Sequence, residues 1–280
     1  MGIDNFFRIE NTNKKPIKDI GIELDLSEIS GQTIGCDALF FIYGAILANP
    51  NMCDESGNRT AHLNTLLLKT LMFRKHNITA IWIFDNPVSN AAKTVAKEKR
   101  TDSFKVDSNI IGQCLELLKY LGVECRITGP NEEAEHYGSH MCITGELSYF
   151  MSGDSDVIAF GGKLIKPTFR NGKTSYTMYI TGDVLGHLGV DKEGLAKISV
   201  IMGNDFCKKT PKIGAKTVIK KYNEVELTEC QIDVMNNIYL KPFDDINIVK
   251  IQGEYNKDAV IDMLVKHSFS GDRLKKMLKY

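Results

Sequence analysis

Three short apolar runs, each leading into aspartate, constrain the fold more than any other feature. They are Gln32-Thr33-Ile34-Gly35-Cys36-Asp37, Ile78-Thr79-Ala80-Ile81-Trp82-Ile83-Phe84-Asp85, and the β-rich run 147–151, which enters Gly153-Asp154-Ser155-Asp156. Each apolar run has strand length, and helix-spaced segments alternate with them. Residues 38–48 are apolar nearly all round. Residues 62–76 carry Leu63, Leu66, Leu67, Thr70, Leu71 and Phe73 on one broad face, and residues 107–121 repeat the pattern with Ile110, Ile111, Cys114, Leu115, Leu117 and Leu118. Residues 90–100 also read as helix. Strands alternating with helices predict an α/β fold with a mainly parallel twisted sheet and helices on both faces. In such sheets, sites form beyond the carboxyl ends of the strands, where these aspartates stand.

A second acidic pair, Glu133 and Glu135, follows Gly129-Pro130-Asn131-Glu132. Pro130 and the acids after it read as the first turn of a helix. One acidic pair at a helix start or strand end is ordinarily a cap or a turn residue. Two such pairs close together, with Asp37 and Asp85 at further strand ends, would converge on one edge of one sheet. Gathering like charges is unfavourable unless a cation neutralises them. An oxygen-only set without His or Cys suits Mg²⁺ or Mn²⁺.

The rest of the chain adds elements rather than chemistry. Residues 49–60 form a turn-rich loop, and 123–127 and 163–166 read as strands. Arg170-Asn171-Gly172-Lys173 signals a hairpin. From Thr181 onward the pattern is mostly helical. Trp82 reads as core, and His62 and His76 as surface residues. No linker or repeat divides the chain, so regions 1–100 and 101–180 are expected to build one sheet and 181–280 a helical region.

At 280 residues and 43% hydrophobic content the chain can bury a core. Its longest apolar runs, 39–48 and 78–84, fall short of the ~18 residues of a membrane span. The N-terminus lacks a signal-peptide pattern, and Phe6 breaks the myristoylation pattern. Seven scattered cysteines without a CxxC are expected as reduced, buried thiols of an intracellular protein. Basic and acidic residues balance at 35 each. If the clustered carboxylates hold metal, the rest of the surface is net positive, which allows a nucleic-acid partner.

In order and spacing, several motifs resemble the flap endonuclease/XPG family of structure-specific DNA nucleases. They are Met1-Gly2-Ile3, the stretch from Ile34 through Asp37 to Tyr43, Ile83-Phe84-Asp85, Glu133-Ala134-Glu135, Gly153-Asp154-Ser155-Asp156 and Gly203-Asn204-Asp205-Phe206-Cys207. Phe269-Ser270-Gly271-Asp272-Arg273-Leu274 resembles the end of that family's nuclease core. The resemblance implies a PIN-like sheet and cleavage of flapped, nicked, gapped or branched DNA in replication, repair or recombination. It also implies a two-metal site using Mg²⁺, with Mn²⁺ as substitute. The carboxylates would be Asp37, Asp85, Glu133, Glu135, Asp154, Asp156 and Asp205. The first four would serve mainly one ion and the rest the other.

Lys93, Lys97 and Arg100 share one face of the 90–100 helix. Spacing alone allows a solvated charged face; the resemblance implies that Lys93 and Arg100 meet the scissile phosphate, with Lys97 among the DNA contacts. It also implies that Gly2 contacts DNA and that Tyr43 stacks on a base. Residues 203–222 resemble a helix–two-turn–helix, whose Lys208, Lys209, Lys212, Gly214 and Lys216 would meet duplex phosphates, with K⁺ a candidate ion there. Lys212-Ile213-Gly214 departs from the family's Gly-Ile-Gly, so Lys212 must take positive φ or the turn must differ.

The short stretch from Arg100 to Asp107 implies an arch without its helical cap. The sliding-clamp tail motif is not seen. The compact form resembles versions encoded by large DNA viruses, which implies work in a nucleus or at a site of viral DNA replication. Readings left open are a junction-resolving or 5′-exonuclease relative, an inactive DNA-binding scaffold, and a PIN-type RNA nuclease.

Overall fold

The computed structural model describes residues 2–86, 106–170, 172–242 and 248–279. Its strands are β1 (Ile22–Leu24), β2 (Thr33–Asp37), β3 (Thr79–Phe84), β4 (Cys125–Ile127), β5 (Tyr149–Met151), β6 (Lys163–Arg170), β7 (Lys173–Ile180) and β8 (Val249–Ile251). They form one sheet in the order β1-β7-β6-β5-β2-β3-β4-β8. Strands β6, β5, β2, β3 and β4 are parallel, and β1, β7 and β8 pair antiparallel at the flanks. The fold is thus the mainly parallel α/β arrangement expected.

Strand alternation divides the core between two faces. Ile81, Ile83, Phe150 and Leu164 point to one, against residues of the helices Ala134–Thr144, Thr181–Leu188 and Lys192–Met202. Ile34, Cys36, Trp82 and Phe84 point to the other, against the helices Ala38–Ala48, Ala61–Lys75, Ser108–Tyr120 and Lys257–Lys266. Each large apolar side chain fully buried this way contributes about 1.5–3 kcal/mol. Trp82 is fully buried, as expected.

Several expectations need correction. The helix after Gly129 starts at Ala134, because Asn131 sits at φ 66 and breaks the first turn. His62 is fully buried, not at the surface, and its Nε2 lies 3.0 Å from Gln113 Oε1. The Ser108–Tyr120 helix packs over the side where solvent was expected. Cys53 and Cys230 are exposed, whereas the other five cysteines are buried. The C-terminal third is mostly helical, as expected, and adds the short strand β8 to the sheet beside β4. The β6 strand runs on to Arg170, and Gly172 turns the hairpin at φ 74. The expected 90–100 helix lies outside the described residues.

Candidate active site

Each strand-end aspartate is held by a bond that its position makes available. Asp37 closes β2 and caps the next helix, its Oδ1 accepting from Phe40 N–H at 2.9 Å. Its Oδ2 accepts from Ser152 Oγ at 2.8 Å. Ser152 Oγ in turn accepts from Asp154 N–H at 3.1 Å. One buried hydroxyl therefore ties the end of β2 to the 153–156 loop beyond β5. Asp85, beyond β3, accepts from Ala134 N–H at 2.7 Å. That bond satisfies a helix-start donor and brings Glu133 and Glu135 to the end of β3. Asp154 Oδ1 accepts from Asp156 N–H at 2.9 Å.

Asp205 arrives from the other side of the chain. The Lys192–Met202 helix stops at Gly203, whose φ of 83 reverses the backbone. Asn204 Oδ1 then accepts the N–H groups of Phe206 and Cys207, both at 2.9 Å, and fixes buried Asp205 between them.

The carboxylates act on one another. Burial, then Asp85 and Asp154, push Asp37 up to about 6. Burial holds Glu135 well above the usual carboxylate range, with Asp37, Asp85, Asp154 and Glu133 adding to it. Burial does the same to Asp156, reinforced by Asp154, Glu133 and Asp205. All seven expected carboxylates thus share one field. The two sets overlap, because Asp154 and Glu133 act on both Glu135 and Asp156.

Among the described residues no three side chains yet converge at coordinating distance. The donors present are nonetheless the hard oxygens a small dication takes, and the raised proton affinity of Asp37, Glu135 and Asp156 is what such a cation would relieve. Lys166 lies nearby, its Nζ donating to Gly153 O at 2.6 Å over the Phe7 ring at 4.8 Å.

Gly2 sits against this loop at φ 87, and a Cβ there would lie 1.8 Å from Asp154 Oδ1. Ile3 N–H donates to Ser155 Oγ at 3.1 Å. Tyr43 is half-buried, and its hydroxyl accepts from Val106 N–H at 3.3 Å. Lys93, Lys97 and Arg100 lie outside the described residues.

In the basic turn, Lys208, Lys209, Lys212 and Lys216 are all exposed. Lys212 takes φ 63, so the turn keeps a left-handed residue without glycine. Gly214 O accepts from Thr217 and Val218 N–H, at 2.8 and 2.9 Å. The helix that follows, Val218–Lys221, is a single turn. Sequence reasoning missed Ser152, Lys166, Gln231 and Tyr239. Ser152 carried a weak signal, as the residue between a strand end and an acidic pair. The others carried none.

Known proteins resemble this chain in sequence and in fold. The XPG N-terminal domain matches residues 1–105, and the XPG I-region matches residues 125–205. Flap endonuclease 1 of Picrophilus torridus is 27% identical over 311 aligned positions, which cover 92% of this chain and 91% of the relative. The catalytic core of Rad2 in complex with DNA substrate superposes with a TM-score of 0.76 at 17% identity, covering 99% of each chain. Human GEN1 in complex with Holliday junction DNA gives 0.71 at 15% identity, covering 99% of this chain and 76% of that one. At those identities the two structures speak to fold alone. The two XPG regions contain the parallel strands β2 to β5 and all seven carboxylates, and the chain belongs to the flap endonuclease/XPG family of structure-specific nucleases, hydrolases acting on DNA.

Proposed function

We propose that this chain is a Mg²⁺-dependent structure-specific 5′ nuclease that cuts flapped, nicked, gapped or branched DNA. The observation that carries the reading is the gathering beyond the carboxyl edge of a parallel sheet of Asp37, Asp85, Asp154 and Asp156 with the helix start that bears Glu133 and Glu135, linked through Ser152 and Ala134 N–H. Asp37, Asp85, Glu133, Glu135, Asp154, Asp156 and Asp205 would hold two Mg²⁺ ions, or Mn²⁺ in their place. Bound there, the ions would supply an acidified water and neutralise charge on the scissile phosphate. The chain's own part is orientation and exclusion of solvent. Ser152 locks Asp37 to the 153–156 loop, and Asp85 locks the helix start that carries both glutamates. Lys93 and Arg100 are proposed to meet the phosphate where its negative charge grows, with Tyr43 stacking on the neighbouring base.

The exposed lysines of the 208–216 turn are proposed to grip the duplex. Each neutralises about one phosphate and releases its counterion. Lys209→Ala or Lys216→Ala is therefore expected to weaken duplex binding and to lower the salt slope by roughly one charge. Binding titrations between low and moderate salt check this, and an unchanged slope would move the footprint elsewhere.

A labelled panel of 5′-flap, gapped and four-way DNA, with and without Mg²⁺, tests the reading as a whole. Cleavage near the branch with Mg²⁺ or Mn²⁺ is expected. Ca²⁺ should permit binding without cleavage, since its coordination is larger and looser. DNA binding with no cleavage under any divalent ion would leave an inactive scaffold instead. A flap capped with streptavidin should be cut nearly as fast as a free one, because few residues separate Arg100 from Asp107 to close an arch. Strong inhibition by the cap would mean that the strand is threaded.

A further inference from the structure

Asp156 receives a hydrogen bond from a residue far along the chain. Tyr239 is 2% exposed, and its hydroxyl donates to Asp156 Oδ1 at 2.8 Å. Its ring packs on Phe160, with centroids 5.3 Å apart, and Phe160 packs on His136 of the helix that begins just after Glu133. The phenol is thus held against the segment from Asp156 to Phe160, with Phe160 standing between it and His136.

The backbone that delivers it is unusual. The helix Glu229–Val234 widens into a π-turn over Met235–Tyr239, closed by Leu240 N–H to Met235 O at 2.9 Å. Such widening rotates the residues beyond it, and isolated π-turns favour functional sites. At the start of the same helix, buried Gln231 shares its two Nε2 hydrogens among Val200 O at 3.0 Å, Thr210 Oγ1 at 3.0 Å and Lys208 O at 3.3 Å. One short segment therefore braces the basic turn at one end and a site carboxylate at the other.

We propose that Tyr239 is a positioning residue for divalent-ion binding, its hydroxyl fixing the orientation of the Asp156 carboxylate. This rests on the reading of Asp156 as an ion ligand. Partners that orient a ligand commonly change ion affinity about 10–100-fold. Tyr239→Phe keeps the ring on Phe160 and removes only the hydroxyl.

The test is Mn²⁺ titration of DNA-free protein by calorimetry, with Tm in EDTA, duplex affinity in EDTA and cleavage rate measured beside it. The variant should bind Mn²⁺ about tenfold or more weakly. Its Tm and duplex affinity should stay close to wild type, and excess Mn²⁺ should restore cleavage. In wild type, Mn²⁺ should also produce a tyrosine ultraviolet difference band that saturates with ion binding. That measurement stands even if the variant fails to fold.

Equal Mn²⁺ affinity in variant and wild type, or no tyrosine band in wild type, overturns the proposal for Tyr239 alone. If wild type itself binds no Mn²⁺, the ion reading of Asp156 falls and takes this inference with it.

Discussion

Asp154→Asn is expected to slow cleavage of a flapped substrate by about a thousandfold or more, equivalent to about 4 kcal/mol of lost transition-state stabilisation. The reason lies in its position between the two acidic sets. Asp154 raises Asp37 and Glu135 on one side and Asp156 on the other. Removing its charge weakens both proposed ion positions at once. The Ser152 link runs through the main-chain N–H of residue 154, so it can persist in the variant. It also removes a negative charge from a surface that must receive phosphate. DNA affinity in EDTA should therefore hold or improve while the single-turnover rate collapses. A rate within about tenfold of wild type would take Asp154 out of the ion site.

The second large effect concerns stability without any substrate. Asp37 binds its proton more tightly folded than unfolded, with its folded value near 6 against an ordinary 3.8. The folded state therefore holds the extra proton between those values. Folding is favoured at low pH, and this advantage is lost as pH rises through about 6. The penalty at neutral pH is on the order of 3 kcal/mol for this group. Glu135 and Asp156 shift in the same direction and add to it. These carboxylates should thus favour a higher melting temperature of metal-free protein near pH 5.5 than near pH 7.5, against the opposite pull of His62 and His140, whose burial lowers their proton affinity. If Mg²⁺ replaces the protons, as the proposed function requires, its stabilising effect should be larger at pH 7.5. Thermal melts at both pH values, with EDTA and with Mg²⁺, decide this. Equal Mg²⁺ shifts at the two values would mean that the carboxylates are not what the ion relieves.

Much of the site was legible because its residues sit where local pattern is strongest. Asp37 and Asp85 follow apolar runs of strand length, and Asp154 and Asp156 follow a third, so their place beyond the sheet edge came from period and topology alone. The family's Gly-Ile-Gly pattern left two alternatives for Lys212, a positive φ or a different turn, and the chain takes the first.

What stayed hidden depends on contacts between distant parts of the chain. Ser152 reaches Asp37 across 115 positions and Tyr239 reaches Asp156 across 83, and no local pattern encodes either pairing. The strands β1 and β8 have three residues each, too few to show alternation. His62 looked solvated because the periodicity of one helix says nothing of a second helix packed across it. The start at Ala134 rather than Pro130 turned on the single dihedral of Asn131.

The late position of Tyr239 and β8 bears on how a cell makes such an enzyme. Domains form roughly in the order of synthesis. A chain growing from its N-terminus acquires six of the carboxylates by residue 156, yet Asp205, Tyr239 and the strand that finishes the sheet emerge later. The proposed hydrolytic centre is therefore expected to stay incomplete until most of the polypeptide has been translated, so a half-made enzyme attached to its ribosome would not cut nucleic acid. Nascent chains stalled after Met202 and assayed beside chains stalled past Ile251 check this expectation, and equal cleavage by the two would refute it.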